Sequence, residues 1–277
     1  MLFASTSLAA RIERAECRLL ADSAEAAARR RPGTGVFALP LAGGIATFTC
    51  PGAPMNKVAG LGFGGPLDGD ALAAVERAFA ERGSPVRAEV ASLGDPVVVR
   101  ALTTRGYVLQ GFENVLARSL PAGPVPPRAA GIDVAPSPLE ELAAWQDVVV
   151  TGFASPDDQG AASPESYPRD LMETVMADMA SADGFSRYIA RRSGVAAGGA
   201  SLRLCDGVAH LCGAATLPAH RRRGVQSALL AARLEIAAAV GSDVAVVVTE
   251  PGSKSQENVQ RQGFELLYTR AILVRTP

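Results

Sequence analysis

Residues 208–230 read VAHLCGAATLPAHRRRGVQSALL. An apolar run containing Gly213 leads into Pro218, then a basic turn Arg221-Arg222-Arg223-Gly224, then residues with amphipathic helical spacing. A helix that starts at such a turn has first-turn amide N–H groups with no partners inside the helix, and these point back at the loop. Free amides, the positive end of the helix dipole and the guanidinium groups of Arg221, Arg222 and Arg223 would converge there, which is how proteins hold a phosphate or diphosphate. Gly224 matters because a Cβ at that point would hold the backbone away from the anion. The alternative is a solvated basic face. It is the weaker reading, because cations at a helix start oppose the dipole unless an anion neutralises them.

Outward from this stretch, the β-branched run VAVVVTE, Val244–Glu250, suits a buried parallel strand. It is followed by SQENVQRQGF, residues 255–264, which reads as a short helix closing on Gly263-Phe264. The order strand, basic loop, helix, strand, short helix, Gly-Phe, strand resembles the acyl-CoA-binding core of the GNAT superfamily of acyl-CoA-dependent N-acyltransferases. Their loop is written (Gln/Arg)-x-x-Gly-x-(Gly/Ala), with a Pro three residues before the first basic position. Pro218, Arg221 and Gly224 fit, while Gln226 stands where Gly or Ala is usual and could crowd the loop. The resemblance covers residues 132–277.

The resemblance implies an α/β (α+β) fold, a mixed central sheet flanked by helices, and acetyl-CoA as cofactor. Pantetheine would pair with the strand near Ala214, Thr216 and Leu217, and a splay or bulge near Gly213 would free those main-chain groups. The amide of Thr216 would polarise the thioester carbonyl. Arg221, Arg222, Arg223, Gly224, Val225, Gln226 and Ser227 would hold the diphosphate. Asn258 either reaches the cofactor or decorates its short helix.

The implied activity is N-acetylation of a primary amine, on a small molecule or a protein, by direct attack in a ternary complex. Proximity and a polarised carbonyl supply most of such an acceleration. The Tyr that many relatives use as general acid falls here at Val259, so Tyr268, Ser255 or an ordered water would have to replace it. For the base, Glu250 lies at the C-terminal end of a strand, where parallel sheets meet their ligands. His210 lies on the strand before the loop and titrates in the neutral range when unperturbed. For both, a hydrogen-bonded or solvated side chain is an equal alternative. Ser253 and Ser255 are N-cap candidates for the short helix, His220 reads as surface and Trp145 as core or cleft wall. The rival from another class is an acyl-CoA-binding or regulatory module of the same fold without turnover, which Val259 favours. A nucleotide-binding protein of another fold would show a Gly-Lys-Ser/Thr loop, and the sequence has none.

Composition narrows the classes further. The chain has 277 residues, 48% of them hydrophobic, enough for two domains. A net charge of −1 gives no field that favours nucleic acid or anionic membranes. Lys57 and Lys254 are the only lysines, so arginine carries the positive charge. Cys17, Cys50, Cys205 and Cys212 sit in apolar stretches without metal-ligand spacing and read as buried reduced thiols. No segment approaches ~18 uninterrupted apolar residues and no basic region precedes an apolar one at the N-terminus. The expectation is a cytoplasmic protein, either a monomer or a homodimer, without bound metal.

The chain also repeats itself. Strand 208–217, helix 225–240, strand 243–249, short helix 256–262 and a final strand are matched by strand 57–62, helix 70–82, strand 86–90, helix 96–105 and strand 107–118. Arg105-Gly106-Tyr107 aligns with Gln262-Gly263-Phe264, and Leu116 with Leu273. The expected division is a degenerate N-terminal copy at 1–120, a proline-rich linker at 121–131, and a catalytic copy at 132–277. In the first copy Gly60-Leu61-Gly62-Phe63-Gly64-Gly65 replaces the basic loop. It reads as a turn rather than a ligand loop. A helix is expected over 7–31, strands at 36–41 and 45–50, and helices at 139–150 and 168–180 flanking a loop at 152–166. Strands 186–192 and 199–205 precede an Asp206-Gly207 hairpin turn.

Overall fold

The computed structural model describes residues 2–120, 130–155 and 167–277. In chain order the elements of the first half are α1 (Thr6–Arg30), β1 (Phe37–Leu41), β2 (Gly44–Phe48), β3 (Lys57–Ala59), α2 (Gly69–Ala80), β4 (Val86–Ala91), α3 (Pro96–Thr104) and β5 (Val108–Ser119). The second half holds β6 (Ile132–Pro136), α4 (Leu142–Phe153), α5 (Arg169–Ala180), β7 (Phe185–Arg192), β8 (Val195–Cys205) and β9 (Val208–Thr216). It continues through α6 (Val225–Ala239), β10 (Val244–Thr249), α7 (Lys254–Gln260) and β11 (Glu265–Arg275). Most of the expected linker and of the expected 152–166 loop lies outside the described residues.

The chain divides into two compact units. The N-terminal unit comprises Phe3–Val115, Ser181–Asp183 and Leu267–Pro277; the C-terminal unit holds the described residues of Leu116–Ala180 and Gly184–Leu266, with Leu2. This division differs from the expected one in a specific way. Leu267–Arg275 of the last strand serves the first unit, and the end of β5 serves the second. Each unit therefore takes a strand from the other half of the sequence.

The sheet of the N-terminal unit runs β1-β2-β3-β4-β11. β1 and β2 form a hairpin over Ala42 and Gly43, both at positive φ. β3 lies parallel to β4, and β11 antiparallel to it, with Val86 opposite Arg275. Ser5 caps α1 by accepting from the amide of Leu8 at 3.1 Å. Phe37, Phe48 and Phe79 meet edge-on or stacked in the core with Leu72, Val90 and Leu102. β3 stops at Ala59, short of the expected Gly62, because the glycine run turns away there. Protein atoms occupy the space beside that run. A Cβ on Gly60 would strike Cys17 Sγ, one on Gly64 would strike Gly43, and one on Gly62 would come within 2.8 Å of the Asp95 nitrogen. The glycines serve close packing.

In the C-terminal unit the order is β5-β10-β9-β8-β7-β6. β6 to β9 form an antiparallel meander. Its last hairpin turns over Asp206 and Gly207, both at positive φ, as the sequence predicts. α6 buries Val225, Leu229, Leu230 and Leu234 against Leu202, Ala209, Leu211 and Val247. Cys17, Cys50, Cys205 and Cys212 are half-buried rather than fully buried, and no disulfide joins them. Among the described residues no helix is long and apolar enough to cross a membrane.

Candidate functional site

The site predicted from residues 208–230 lies in the C-terminal unit, where β9 parts from β10. The parallel register between them covers Val208–His210 against Val244–Val246 only. Beyond His210 and Val246 the described residues of the two strands are no longer in register, so the edge of β9 from Leu211 to Thr216 is freed of that partner. On its other side β9 pairs with β8 through a bulge: Ser201 opposes Cys212 and Gly199 opposes Ala215, so Ala200 faces both Gly213 and Ala214. Gly213 sits at φ 56, where a Cβ would meet Ser201 Oγ at 3.0 Å. The splay and the bulge both fall where the sequence reading puts them.

The extra residue reverses the parity of the strand. The Leu217 amide donates to the Ala197 carbonyl across 3.0 Å, toward β8. Main-chain groups alternate along a strand, so those of Thr216 point the other way, to the freed edge. Leu217 itself is not available to a ligand, since its carbonyl also accepts from the His220 amide at 2.9 Å. That corrects the expectation for Leu217, whereas Ala214 and Thr216 remain half-buried on the open strand. The Thr216 hydroxyl oxygen is buried with no hydrogen-bond partner. The C-terminal end of α4 covers this stretch closely, because a Cβ on Gly152 would clash with the Cβ of Ala215.

The chain then passes through a single turn of 3-10 helix, Pro218–His220, into the basic turn. Gly224 is the N-cap of α6 at φ 83, with no side chain to accept from the helix. The first-turn amides of Val225, Gln226 and Ser227 are those a helix start cannot satisfy internally, and the first helical bond runs from the Ala228 amide to the Gly224 carbonyl at 2.9 Å. Val225 is buried in the core, Gln226 is half-buried and Ser227 exposed. Arg222 adopts a left-handed φ of 58, a conformation that costs a residue with a Cβ about 1 kcal/mol or more and collects at functional turns. Arg222 and Arg223 are exposed. Arg221 departs from expectation, because its guanidinium turns to the carbonyls of Gly152, at 3.4 Å, and Ser155. It thereby supplies a cation to the C-terminal end of α4 instead of joining its neighbours.

The second motif folds onto the first. Ser253 caps α7 by accepting from Gln256 at 3.2 Å, so of the two serines it is the N-cap. Asn258, on α7, donates through Nδ2 to Gln226 Oε1 at 3.4 Å. The sequence marks both residues, and the structure makes them partners. Val259 is buried in the core, so no acid stands at that place on α7.

The catalytic candidates separate. His210 is buried at the last registered pair before the splay, opposite Val246 and Arg203. Glu250 is half-buried just past the end of β10, and its carbonyl accepts from the Ser253 amide. Tyr268 is excluded. It belongs to the N-terminal unit, buried on β11, where its hydroxyl donates to Glu13 at 2.7 Å. Burial, reinforced by the Glu13 charge, raises its pKa far above the ordinary tyrosine value, so it holds its proton there.

Trp145, read from the sequence as core or cleft wall, and Arg233, which the sequence reading did not single out, meet the bulge from opposite faces. Trp145 Nε1 donates to the Ala200 carbonyl at 3.3 Å. Arg233, buried on α6, donates to the carbonyls of Ser201 at 2.8 Å and Cys212 at 3.4 Å. The signal for Arg233 was there to find: a cation inside the apolar stripe Leu229, Leu230, Leu234, Ala237.

The model of the Acetyltransferase (GNAT) family matches residues 154–264. Among solved structures the chain is similar to a GCN5-related N-acetyltransferase from Kribbella flavida, at 21% identity over 92% of this chain and 95% of that one, with a TM-score of 0.61. It is also similar to a tandem GNAT protein from the clavulanic acid biosynthesis pathway, at 14% identity over 84% and 78% of the two chains and a TM-score of 0.58. A GCN5-related N-acetyltransferase from Sphaerobacter thermophilus aligns at 16% identity over 74% and 66%, with a TM-score of 0.54. At these identities the likeness establishes the fold. No curated protein gives a significant match.

Proposed function

We propose, from the match of the Acetyltransferase (GNAT) family model to residues 154–264, that the chain transfers an acetyl group from acetyl-CoA to a primary amine by direct attack. The supporting observation is the coincidence of the freed β9 edge with the uncapped start of α6, where Gly224 is the N-cap. The residues suit the cofactor: first-turn amides of α6 and the exposed Arg222 and Arg223 for the diphosphate, and the main chain of Ala214 and Thr216 for the pantetheine. Bound acetyl-CoA would supply an acetyl group activated as a thioester. The Thr216 amide would donate to the thioester oxygen as negative charge develops on it. Glu250, at the mouth of the splay, would accept a proton from the incoming ammonium, with His210 as the second candidate. The amine is a small molecule or a protein side chain.

Ligand-dependent melting tests this reading. Acetyl-CoA should raise the melting temperature with concentration as mass action requires, and Gly224→Glu should abolish the rise. Thiol release across a panel of amines, lost in Glu250→Gln with cofactor binding intact, would establish turnover and the base. A melting curve indifferent to acetyl-CoA would overturn the proposal. A second reading, a module that binds acyl-CoA without turnover, draws on the buried Val259 and on the engagement of Tyr268 with Glu13. Saturable binding with no thiol release from any amine would favour it.

A further inference from the structure

Arg233 is 2% exposed, and its hydrogen bonds run to three main-chain carbonyls: Leu229 at 3.1 Å in its own helix, Ser201 at 2.8 Å and Cys212 at 3.4 Å. No carboxylate pairs with it among the described residues. Burying a guanidinium without a counter-ion costs several kcal/mol, and a methionine of similar length would fill the space without that penalty. Burial pulls its pKa down to about 10, which still leaves it cationic at neutral pH. A group this costly in an apolar helix–sheet interface needs a task that a neutral side chain cannot perform.

That task is visible in its partners. Ser201 and Cys212 are the last pair in register before the bulge, and the two residues opposite Ala200 begin immediately after them. A bulge disrupts the ladder locally and leaves carbonyls that must find donors elsewhere. One charged nitrogen, Nη1 of Arg233, donates to a carbonyl on each strand beside the bulge, and such charge-assisted bonds are worth more than neutral ones. Trp145 does the same for Ala200 from the opposite face. The bulge is thus clamped from α6 and α4 together, and its position decides which amides of β9 face the freed edge.

We infer that Arg233 is a positioning residue that locks the Gly213 bulge, and through it holds the main chain of Ala214 and Thr216 in register for the acyl end of the ligand. The inference deepens the acetyl-CoA reading and rests on it for the identity of that ligand. Arg233 bonds to main-chain carbonyls and touches no reacting atom. It acts through the strand.

The test compares Arg233→Met with Arg233→Lys, which keeps the cation but has a single nitrogen to donate. Hydrogen exchange should accelerate in Leu211–Leu217 and in its partner stretch Ala197–Leu202, most in Arg233→Met and less in Arg233→Lys, with the rest of the unit unchanged. Acetyl-CoA affinity should fall about tenfold or more in Arg233→Met, while adenosine 3′-phosphate 5′-diphosphate, which reaches only the α6 end, keeps its affinity within about twofold. If Arg233→Met fails to fold, Arg233→Lys carries the same comparison. Equal weakening of both ligands, or exchange that rises evenly through the unit or not at all, would overturn the inference. A native chain that binds neither ligand would sink the acetyl-CoA reading, and the exchange pattern would still decide whether Arg233 locks the bulge.

Discussion

The carboxamide of Asn258 donates to the side-chain oxygen of Gln226 across 3.4 Å, joining the first turn of α6 to α7. Gln226 stands where the loop motif that this stretch resembles usually has Gly or Ala, and this contact gives the departure a physical reason. The longer side chain is held against α7 instead of crowding the loop. Gln226→Ala and Asn258→Ala should each weaken acetyl-CoA binding by about two- to fivefold, the scale of one part-buried neutral hydrogen bond. The double variant should be no weaker than the poorer single one, a coupling of about 0.5–1 kcal/mol in calorimetric titration. Additive losses would show that the two side chains act separately.

Tyr268 is structural. Its hydroxyl serves Glu13, which also receives the Arg270 Nε at 2.8 Å in the buried cluster of the N-terminal unit. Tyr268→Phe should leave acetyl transfer intact and lower stability by about 1–2 kcal/mol in urea unfolding, since one buried carboxylate bond is lost. A fall in kcat at unchanged stability would restore it as an acid.

Glu76 anchors the last strand of the N-terminal unit. Arg105 binds it at 3.0 and 2.5 Å and Arg275 at 2.6 Å. Burial on its own would raise the Glu76 pKa, but the hydrogen bonds from both arginines outweigh it and lower the value. A depressed carboxylate contributes its stability in full above the unfolded value of about 4.3, and that contribution is lost as pH falls through the folded value. The gap in urea midpoint between the native chain and Glu76→Gln should therefore be widest near neutrality and close below about pH 4. A gap independent of pH would contradict the assignment.

Cys17 lies against the Ala59 carbonyl at 3.6 Å, and burial, followed by the nearby Glu13 and Glu16 charges, pushes its pKa up to about 12. The thiolate is the reactive form, so at pH 8 iodoacetamide should label native Cys17 at least about a hundredfold more slowly than the same residue in urea. Peptide mass spectrometry reads the difference directly. Labelling at the denatured rate would place the thiol in the open.

The local signals were written in single residues, and they survived folding. Gly224 without a capping side chain, Asp206-Gly207 between two strands, and Gly213 inside a third state their backbone geometry by themselves, because φ above zero excludes most other residues. The β-branched run 244–249 and the apolar stripe of α6 likewise fixed the elements around the loop. The sequence also showed that the strand–helix order occurs twice.

Side-chain direction and strand partnership were settled by the tertiary structure alone. Three adjacent arginines look equivalent in sequence, yet packing turns Arg221 to the end of α4 and leaves Arg222 and Arg223 outward. Tyr268 is near the second motif in number but belongs to a buried charge cluster with Glu13, from the start of the chain. Arg233 reads as an anomaly in a helix until a bulge on another strand supplies its partners. Chain order likewise assigned the final strand to the wrong unit, since β11 completes the sheet beside β4. Such pairings depend on which unsatisfied main-chain and charged groups meet once distant segments pack. A one-dimensional pattern carries each residue's own preferences, not the identity of the partner that satisfies them.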